Sequence, residues 1–292
     1  MYNIILWGTG IIYNTHLNVL KLYERVKEIR IVGVTASDLG EYEEIDGYKV
    51  YRSDNVKNLN YDYLMIMNEC NFLDITNKAV EVGVPNEKII SYKVLEIPNL
   101  SFNKYFKLKS KQLSIISNNC WGGIVYEKLG LECLSPFKNL FLEDEDYLKL
   151  LLDLELYIQS PLEFDHYEVD VHSKERYPVM KLRDICIHCN HDKDIAIVKK
   201  NWERRKAKIN YDSLFIEMYT ENERIAEKFC ALEEYPNRLC FTPFEMNSLY
   251  SMRLKLEGKQ KEFYEAVNSN PTKGNTYDLI DLLNMKKHIR KK

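Results

Sequence analysis

Hydrophobic and polar positions along the first third of the chain follow the order strand, helix, strand. Short runs rich in Ile, Val and Leu predict buried parallel strands, and the segment after the first run repeats its apolar residues at helical spacing. The predicted strands are residues 3–7, 29–35, 48–52, 61–67 and 88–91, with helices at 11–25 and 72–82. This alternation predicts a Rossmann-like α/β domain with a mainly parallel sheet over residues 1–105.

The same layout starts again after residue 105. An apolar run at 113–117 leads into a turn rich in Asn and Gly, and then into a short helix. The pattern further along predicts strands at 184–191, 213–219 and 237–241, and helices at 147–158, 193–209 and 222–232. We therefore expect a second three-layer α/β domain over residues 106–270, followed by a basic helical tail over 271–292.

Composition and charge narrow the class of protein. The formal net charge is −3 and 45% of the residues are hydrophobic, which predicts a globular protein with no general attraction to nucleic acid. No apolar run approaches the ~20 residues that cross a bilayer, and no signal peptide precedes the first strand. Together with the odd count of seven cysteines, these features predict a cytoplasmic protein with reduced thiols.

The turn after the first strand is a candidate nucleotide site. Gly8, Thr9 and Gly10 lie between a strand and a helix N-terminus, the junction that binds phosphates in dinucleotide-binding domains. Tyr13 replaces the third glycine of that fingerprint, and Asp38, a candidate acceptor for a ribose hydroxyl, lies further along than usual. Two interpretations stay open: a nucleotide or nucleotide-sugar site, or a degenerate domain that only packs or forms a homodimer.

The turn after the strand at 113–117 carries the candidate catalytic residues. Ser117 or Cys120 is a candidate nucleophile if His191, at the end of a later strand, lies within hydrogen-bond reach. The helix start beside Cys120 is expected to lower the pKa of its thiol.

The same turn offers hydrogen-bond donors. Asn118, Asn119 and the backbone amides of Gly122 and Gly123 are candidates to bind substrate and to stabilise an oxyanion. They suit a purely structural strand-to-helix turn equally well, with Trp121 filling the core. The sequence leaves both interpretations open.

Residues 186–191 contain two Cys and two His, a composition that suggests zinc. The spacing argues against a metal site, because a strand points Cys186 and His188 to one face and Cys189 and His191 to the other. We expect no metal here, but buried thiols in a core strand. His191 is then placed to act as an acid, a base or a phosphate donor at the sheet edge.

A basic face is predicted on the helix at 193–209. Arg204, Arg205 and Lys208 are candidates for a clamp on a phosphate or another anionic group of the substrate, since Arg offers a bidentate fork. The alternative is an ordinary solvated helix face, which most charge runs are.

Several strings of the second domain occur together, and they include Ser-Asn-Asn-Cys-Trp-Gly-Gly and Trp-Glu-Arg-Arg. They lie at residues 114–123, 135–136, 139–141, 177–179, 191, 202–205 and 209–210. These strings resemble a bacterial family of unknown function whose members are often labelled exopolysaccharide biosynthesis proteins. The resemblance implies a context, the assembly or decoration of a surface polysaccharide, and no particular reaction. Residues 3–10 and 61–66 more weakly resemble the front domain of surface-sugar enzymes, including some sugar acetyltransferases.

Two hypotheses on function result. The first is a transferase of glycosyl, acyl or phosphoryl groups that uses a nucleotide sugar or another anionic donor, with the second turn, His191 and the basic face around one cleft. The second is a non-catalytic protein that binds a nucleotide sugar or assists assembly. In both, the partner is a small anionic molecule or a sugar precursor. Nucleic acid is not expected, and membrane contact is at most peripheral, through the basic tail.

Overall fold

A computed structural model describes residues 1–36, 42–171, 173–255, 265, 267 and 278–284. The chain divides into two compact units, Met1–Lys107 and Leu108–Lys292. Asp38 and the basic residues 286–292 of the predicted tail lie outside the described residues. Within the described ranges, no helix combines the length and the apolar character that a membrane span requires.

The first unit is built on a four-stranded parallel sheet, as the alternation of strands and helices predicts. Its elements are β1 (Tyr2–Trp7), α1 (Ile11–Arg25), β2 (Ile29–Thr35), β3 (Glu44–Ile45), β4 (Tyr48–Lys49), β5 (Tyr63–Ile66), α2 (Phe72–Glu81), β6 (Ile89–Ser91) and the start of α3 (Phe102–Ser110). The sheet order is β2-β1-β5-β6, with every neighbouring pair parallel. Because β1 has β2 on one side and β5 on the other, the strand order reverses at its carboxyl end.

The third predicted strand does not join this sheet. Residues 48–52 form only β4, which pairs antiparallel with β3 in a separate hairpin. The hairpin turn is Asp46-Gly47, and both residues have positive φ, +54° and +90°, as a tight two-residue turn requires. The following Tyr51 N–H donates to the Val34 carbonyl at 2.9 Å, so the segment only touches the edge of the parallel sheet.

The described residues of the second unit form two sheets. β7 (Ser114–Ser117), β11 (Leu214–Tyr219), β12 (Arg238–Thr242) and β13 (Ser251–Arg253) form a parallel sheet in the order β13-β12-β11-β7. β8 (Leu162–Val169), β9 (Arg176–Leu182) and β10 (Ile185–His188) form an antiparallel sheet in the order β10-β9-β8. The helices are α4 (Trp121–Lys128), α5 (Asp144–Leu152), α6 (Leu154–Gln159), α7 (Ile195–Lys206), α8 (Glu223–Cys230) and α9 (Leu279–Asn284). The predicted α/β class is confirmed.

Two strands of the antiparallel sheet, β8 and β9, have no counterpart in the predicted elements. β8 reads Leu-Glu-Phe-Asp-His-Tyr-Glu-Val, and most of its side chains are exposed, so it lacks the apolar run that marks a buried strand. The strand predicted at 184–191 is the shorter β10, and it belongs to this antiparallel sheet. His191 therefore lies in a turn, three residues beyond the end of its strand.

A short extended segment connects the ends of the two sheets. The Phe141 N–H donates to the His188 carbonyl at 3.0 Å, and the His188 N–H donates back to the Phe141 carbonyl at 2.9 Å. The next residue, Leu142, donates its N–H to the Asn118 carbonyl at 3.0 Å. This segment is therefore hydrogen-bonded both to the end of β10 and to the residue that follows β7.

Tyr147 of α5 fixes the same region from within the core. Its ring is fully buried, and its hydroxyl lies 2.8 Å from both the Ile116 and the Glu217 carbonyl oxygens. These carbonyls belong to the adjacent parallel strands β7 and β11. Burial raises the pKa of the hydroxyl far above its usual range, so the group stays protonated and remains a donor.

We predict that Tyr147→Phe lowers the free energy of unfolding by about 1–3 kcal/mol, because two buried carbonyls lose their shared donor. Urea unfolding followed by circular dichroism measures this change. Tyr211→Phe, at a surface tyrosine, is the control and should shift the same value by less than about 0.5 kcal/mol. Equal stability of the two variants would show that the Tyr147 hydroxyl does not support the sheet.

Candidate functional site

Two of the predicted site residues meet in the second unit. The Cys120 Sγ lies 3.1 Å from the His191 Nε2, within hydrogen-bond reach of a thiol and an imidazole. Cys120 is half-buried at the start of α4, and His191 is exposed in the turn after β10. Residues 71 positions apart in the chain are thus brought into contact at a solvent-accessible place.

The thiol of Cys120 is not activated in the resting protein. Burial is the main cause that raises its pKa to about 11, and the nearby Glu217 carboxylate adds to the effect. The expectation that the helix start lowers this pKa is wrong, because desolvation of the thiolate outweighs the helix dipole. A reaction at Cys120 therefore needs a base that removes the proton during the attack, and the His191 Nε2 is placed to do so.

The imidazole of His191 has no third orienting residue among those that the structure describes, since none of them makes a hydrogen bond to its Nδ1. The pair is therefore a dyad, and His191 can adopt the tautomer with its proton on Nδ1 and a free lone pair facing Cys120.

Ser117 has a structural position. Its side chain is buried, and its Oγ accepts the Gly122 N–H at 3.1 Å, which ties the end of β7 to the first turn of α4. The nucleophile role expected for Ser117 does not fit this position, since its hydroxyl is buried and accepts the Gly122 N–H within the turn.

Asn118 and Asn119 form the polar interior of the turn. The Asn118 amide donates to the Tyr219 carbonyl at 3.0 Å and accepts the Tyr219 N–H at 3.0 Å, so it extends the pairing of β7 with β11. The Asn119 amide donates to the Asn118 side chain at 2.9 Å and to the Glu217 Oε1 at 3.1 Å. Its oxygen caps the Trp121 N–H at 2.8 Å. These contacts occupy the amide donors that were candidates for an oxyanion.

Gly122 and Gly123 allow close packing of α4. A Cβ at Gly122 would meet the Ser117 Oγ, and a Cβ at Gly123 would meet the Asn139 side chain, so a larger residue at either position requires these side chains to move. Both glycines are buried. The Gly122 amide is used by Ser117, so the structural interpretation of this turn explains both glycines.

Glu217, the most unusual residue near the dyad, was not among the site residues predicted from the sequence. Its side chain is completely buried in the centre of β11, and only Oε1 has a hydrogen-bond partner, Asn119. Oε2 is buried without a partner. Burial raises the pKa of this carboxyl to about 8, so it is largely neutral at pH 7. The signal available in the sequence is a single Glu inside the apolar strand Leu-Phe-Ile-Glu-Met-Tyr.

The two arginines do not complete this site. Arg204 is exposed and donates to Asn201 of its own helix at 3.2 Å, and Arg205 donates to the Lys138 carbonyl at 3.4 Å. Lys208 forms an ion pair with Glu132 at 2.5 Å. No contact joins these cations to Cys120 or His191, so the ordinary solvated face accounts for them better than an anion clamp does.

The Cys and His residues at 186–191 are separated by the turn after β10. In the described part of the chain, no group of three or more potential ligands is arranged to hold a metal ion. Cys189 is buried, and burial raises the pKa of its thiol to about 12, so it acts as a small core residue.

The candidate nucleotide residues line a cavity in the first unit. It has a volume of about 560 Å³, and its walls include Gly8, Thr9, Gly10, Ala36, Asn68 and Lys78. The cavity lies where the strand order reverses, at the carboxyl ends of β1 and β5. Gly8 has φ of +115°, and a Cβ there would lie 3.1 Å from the Met67 carbonyl oxygen, so glycine is required.

Comparison with known proteins identifies families and no activity. Residues 91–286 match the family described as "Domain of unknown function (DUF1919)", and residues 1–90 match the family described as "C2185-like, N-terminal". An uncharacterized protein of Haemophilus influenzae is 29% identical over 189 residues, which are 62% of this chain and 87% of that protein. A dehydrogenase (MviM) from Clostridium difficile has a TM-score of 0.25 and 11% identity, covering 63% of this chain and 68% of that chain, too little to support an argument.

We predict that the free energy of unfolding of Glu217→Gln increases relative to that of the wild type as the pH rises. The folded-state pKa of Glu217, about 8, lies above that of an unfolded glutamate, about 4.3, so the wild type loses stability between these two values. The expected gain of the variant over the wild type is up to about 1.4 kcal/mol per pH unit. Urea unfolding at pH 5 and pH 8 measures it.

Glutamine keeps the oxygen that accepts from Asn119, so the substitution is nearly isosteric. The matched control is Glu227→Gln on the exposed face of α8, which measures the effect of the same substitution at a solvated position. A difference between Glu217→Gln and the wild type that does not change with pH would mean that the buried carboxyl does not titrate as described.

Proposed function

We propose that this chain, which belongs to the family described as "Domain of unknown function (DUF1919)", is an acyl-type transferase of bacterial surface-polysaccharide biosynthesis. The observation that carries the proposal is the contact between the Cys120 Sγ and the His191 Nε2 at 3.1 Å. Of the glycosyl, acyl and phosphoryl transfers considered from the sequence, acyl transfer is the one that a thiol and imidazole pair serves best. The polysaccharide context is supported only by the resemblance of sequence strings, and a cytoplasmic location is proposed with it.

In the first step, Cys120 attacks the carbonyl carbon of an acyl donor. The His191 Nε2 accepts the thiol proton as the new S–C bond forms, and the bond to the donor's leaving group breaks. The imidazolium then returns the proton to the leaving group. Because the pKa of the Cys120 thiol is raised, the thiolate forms only when its proton moves to the His191 imidazole. In the resting enzyme, Cys120 therefore stays a neutral thiol, which reacts poorly with alkylating agents.

In the second step, a sugar hydroxyl takes the acyl group. The hydroxyl oxygen attacks the thioester carbonyl while the His191 Nε2 accepts its proton. The S–C bond then breaks, and the imidazolium returns the proton to the sulfur, which restores the thiol and the neutral imidazole. His191 is exposed, so a large saccharide acceptor can approach it from solvent. The reaction needs no third residue, in agreement with a dyad rather than a triad.

We further propose that the first unit binds the nucleotide part of a nucleotide sugar. The support for this is the cavity of about 560 Å³ at Gly8, Thr9 and Gly10, where the α1 N-terminus favours an anion. Lys78 of α2 lines the same cavity and supplies a positive charge for a phosphate.

The second candidate function is a non-catalytic binding or assembly protein. A specific observation favours it: Asn118, Asn119 and the Gly122 amide are already used inside the turn and are not available to an oxyanion. In that case, the chain binds a nucleotide sugar in the first unit and shows no turnover.

We predict that p-nitrophenyl acetate acylates Cys120 and that His191→Ala slows this step by about 10²-fold or more, the usual effect of losing a general base. Stopped-flow release of p-nitrophenol gives the rate, and peptide mass spectrometry locates the acetyl group. Cys120→Ala should abolish the labelled peptide. His166→Ala, at an exposed histidine on β8, is the control and should retain the wild-type rate. Acylation that is equally fast without His191 would overturn the catalytic proposal in favour of the binding protein.

We predict that the wild type binds UDP and that Lys78→Met raises the Kd by roughly ten- to a hundredfold, since a charge-assisted contact to phosphate is worth about 1.5–3 kcal/mol. Isothermal titration calorimetry measures both affinities. Lys21→Met, at an exposed lysine of α1 that does not line the cavity, should bind as the wild type does. Absence of binding by the wild type to UDP and ADP alike would remove the nucleotide proposal.

A further inference from the structure

The cavity of the first unit has a polar wall, which is formed by the loop after β5 and by α2. Asn68 and Asn71 lie in that loop, and Asp74 and Lys78 lie on the first two turns of the helix. All four residues line the cavity of about 560 Å³. Pockets that bind small ligands typically have volumes of about 300–1,000 Å³, so the cavity is large enough for such a ligand.

The polar groups of this wall are mostly unused within the protein. The Asn68 Oδ1 accepts the Asn71 N–H at 2.8 Å, and the Asn68 amide nitrogen is left to donate elsewhere. In the described part of the chain, no hydrogen bond or ion pair engages the side-chain amide of Asn71, the Asp74 carboxylate or the Lys78 ammonium. Asp74 and Lys78 are four residues apart on one helix and still form no ion pair. A bound ligand can therefore use all of these groups.

The rest of the cavity lining is different in character. Trp7, Met67 and Ile75 are apolar, and the small Ala36 lines the cavity where β2 ends. In dinucleotide-binding domains, an acidic residue about 20 residues after the glycine-rich turn binds the ribose, so the nucleoside lies toward the second strand. A nucleoside in this orientation meets Ala36. The group on the other side of the diphosphate then meets the polar wall.

The polar wall carries two opposite charges. Residues four apart on a helix are separated by about 6 Å along its axis. A diphosphate is attracted by Lys78 and by the N-terminus of α1 after Gly10, but it is repelled by the carboxylate of Asp74. A phosphate-containing ligand without further groups therefore explains Lys78 and does not explain Asp74.

Hydroxyl groups explain the remaining part of the wall. A carboxylate accepts hydrogen bonds from O–H donors, and a side-chain amide both donates and accepts. Asp74 with Asn68 and Asn71 is thus a set of groups that suits the neighbouring hydroxyls of a sugar ring. A ligand that satisfies both parts of the wall has a diphosphate with a polyhydroxylated ring next to it. A nucleoside diphosphate hexose has its groups in this order.

We infer that Asp74, together with Asn68 and Asn71, binds the sugar hydroxyls of a nucleoside diphosphate hexose. Lys78 and the turn at residues 8–10 then hold the diphosphate. The inference rests on the nucleotide site proposed above for the first unit, and it adds the recognition of the sugar. It does not depend on the chemistry of Cys120. Asp74 is the discriminating residue, because its carboxylate is favoured beside hydroxyls and disfavoured beside phosphate.

The test is isothermal titration calorimetry of the full chain with UDP, UDP-glucose and UDP-N-acetylglucosamine. We expect the wild type to bind at least one of the two nucleotide sugars about tenfold more tightly than UDP, the usual effect of a hydrogen bond to a charged group. Asp74→Asn should lose most of this preference. It should bind UDP at least as tightly as the wild type does, since the repulsion of the phosphates is removed, and this binding shows that the variant is folded.

The matched control is Glu81→Gln, which removes a carboxylate from the same helix at an exposed position outside the cavity lining. It should bind all three ligands as the wild type does. Saturation-transfer difference NMR gives a second readout. In the wild type, magnetisation should pass from the protein to the hexose protons of the bound nucleotide sugar. In Asp74→Asn, this transfer should fall relative to that of the uridine protons.

Two results would overturn the inference and leave the nucleotide site in place. The first is that the wild type binds UDP as tightly as both nucleotide sugars. The second is that Asp74→Asn weakens the binding of UDP and of the nucleotide sugars equally, which would mean that the carboxylate contacts the ribose. Absence of binding of all three ligands is a distinguishable result, since it would remove the nucleotide site itself and the inference with it.

Discussion

The backbone hydrogen bonds of Phe141 and Leu142 determine where the candidate catalytic residues of the second unit lie. Phe141 pairs with His188 at the end of β10, and Leu142 pairs with Asn118 just after β7. Backbone pairing fixes distances within a few tenths of an ångström, so the turns that follow the two strands are brought together. The contact of Cys120 with His191 is a consequence of this pairing, since neither side chain has a strong attraction for the other.

The buried carboxyl of Glu217 is a second feature that determines the conformation of the turn around Cys120. Its desolvation is unfavourable for the charged form, and Asn119 satisfies only one of its oxygens. The turn is built around it, with Asn119 linking Glu217 to Asn118 and to the start of α4. A buried, partly unsatisfied polar group is retained at an energetic cost, which is a common property of functional sites. The same carboxyl raises the pKa of Cys120, so it affects the nucleophile as well as the fold.

The first unit follows a different rule. There, the reversal of strand order at β1 leaves an open crevice, which Gly8, Thr9 and Gly10 line together with Asp74 and Lys78. Tyr13, fully buried on α1, takes the place where the dinucleotide fingerprint has a third glycine. A larger residue at that position changes how closely α1 packs against the sheet. We therefore propose a nucleotide site whose geometry differs from that of the dinucleotide fingerprint.

The sequence alone indicated most of the parallel strands, because apolar runs such as residues 4–7 reflect burial on both faces. It did not indicate β13. It also indicated Cys120 and His191 as candidates, since their residue types carry nucleophilic and acid–base chemistry. It did not reveal β8, whose exposed and polar residues have no period, or the separate hairpin at β3 and β4. Only the tertiary structure decided that Ser117, Asn118 and Asn119 hold the turn together, and that Glu217 lies behind the thiol. Those roles depend on hydrogen bonds between residues about a hundred positions apart, such as Asn119 and Glu217. A local pattern of hydrophobicity contains no information about such distant partners.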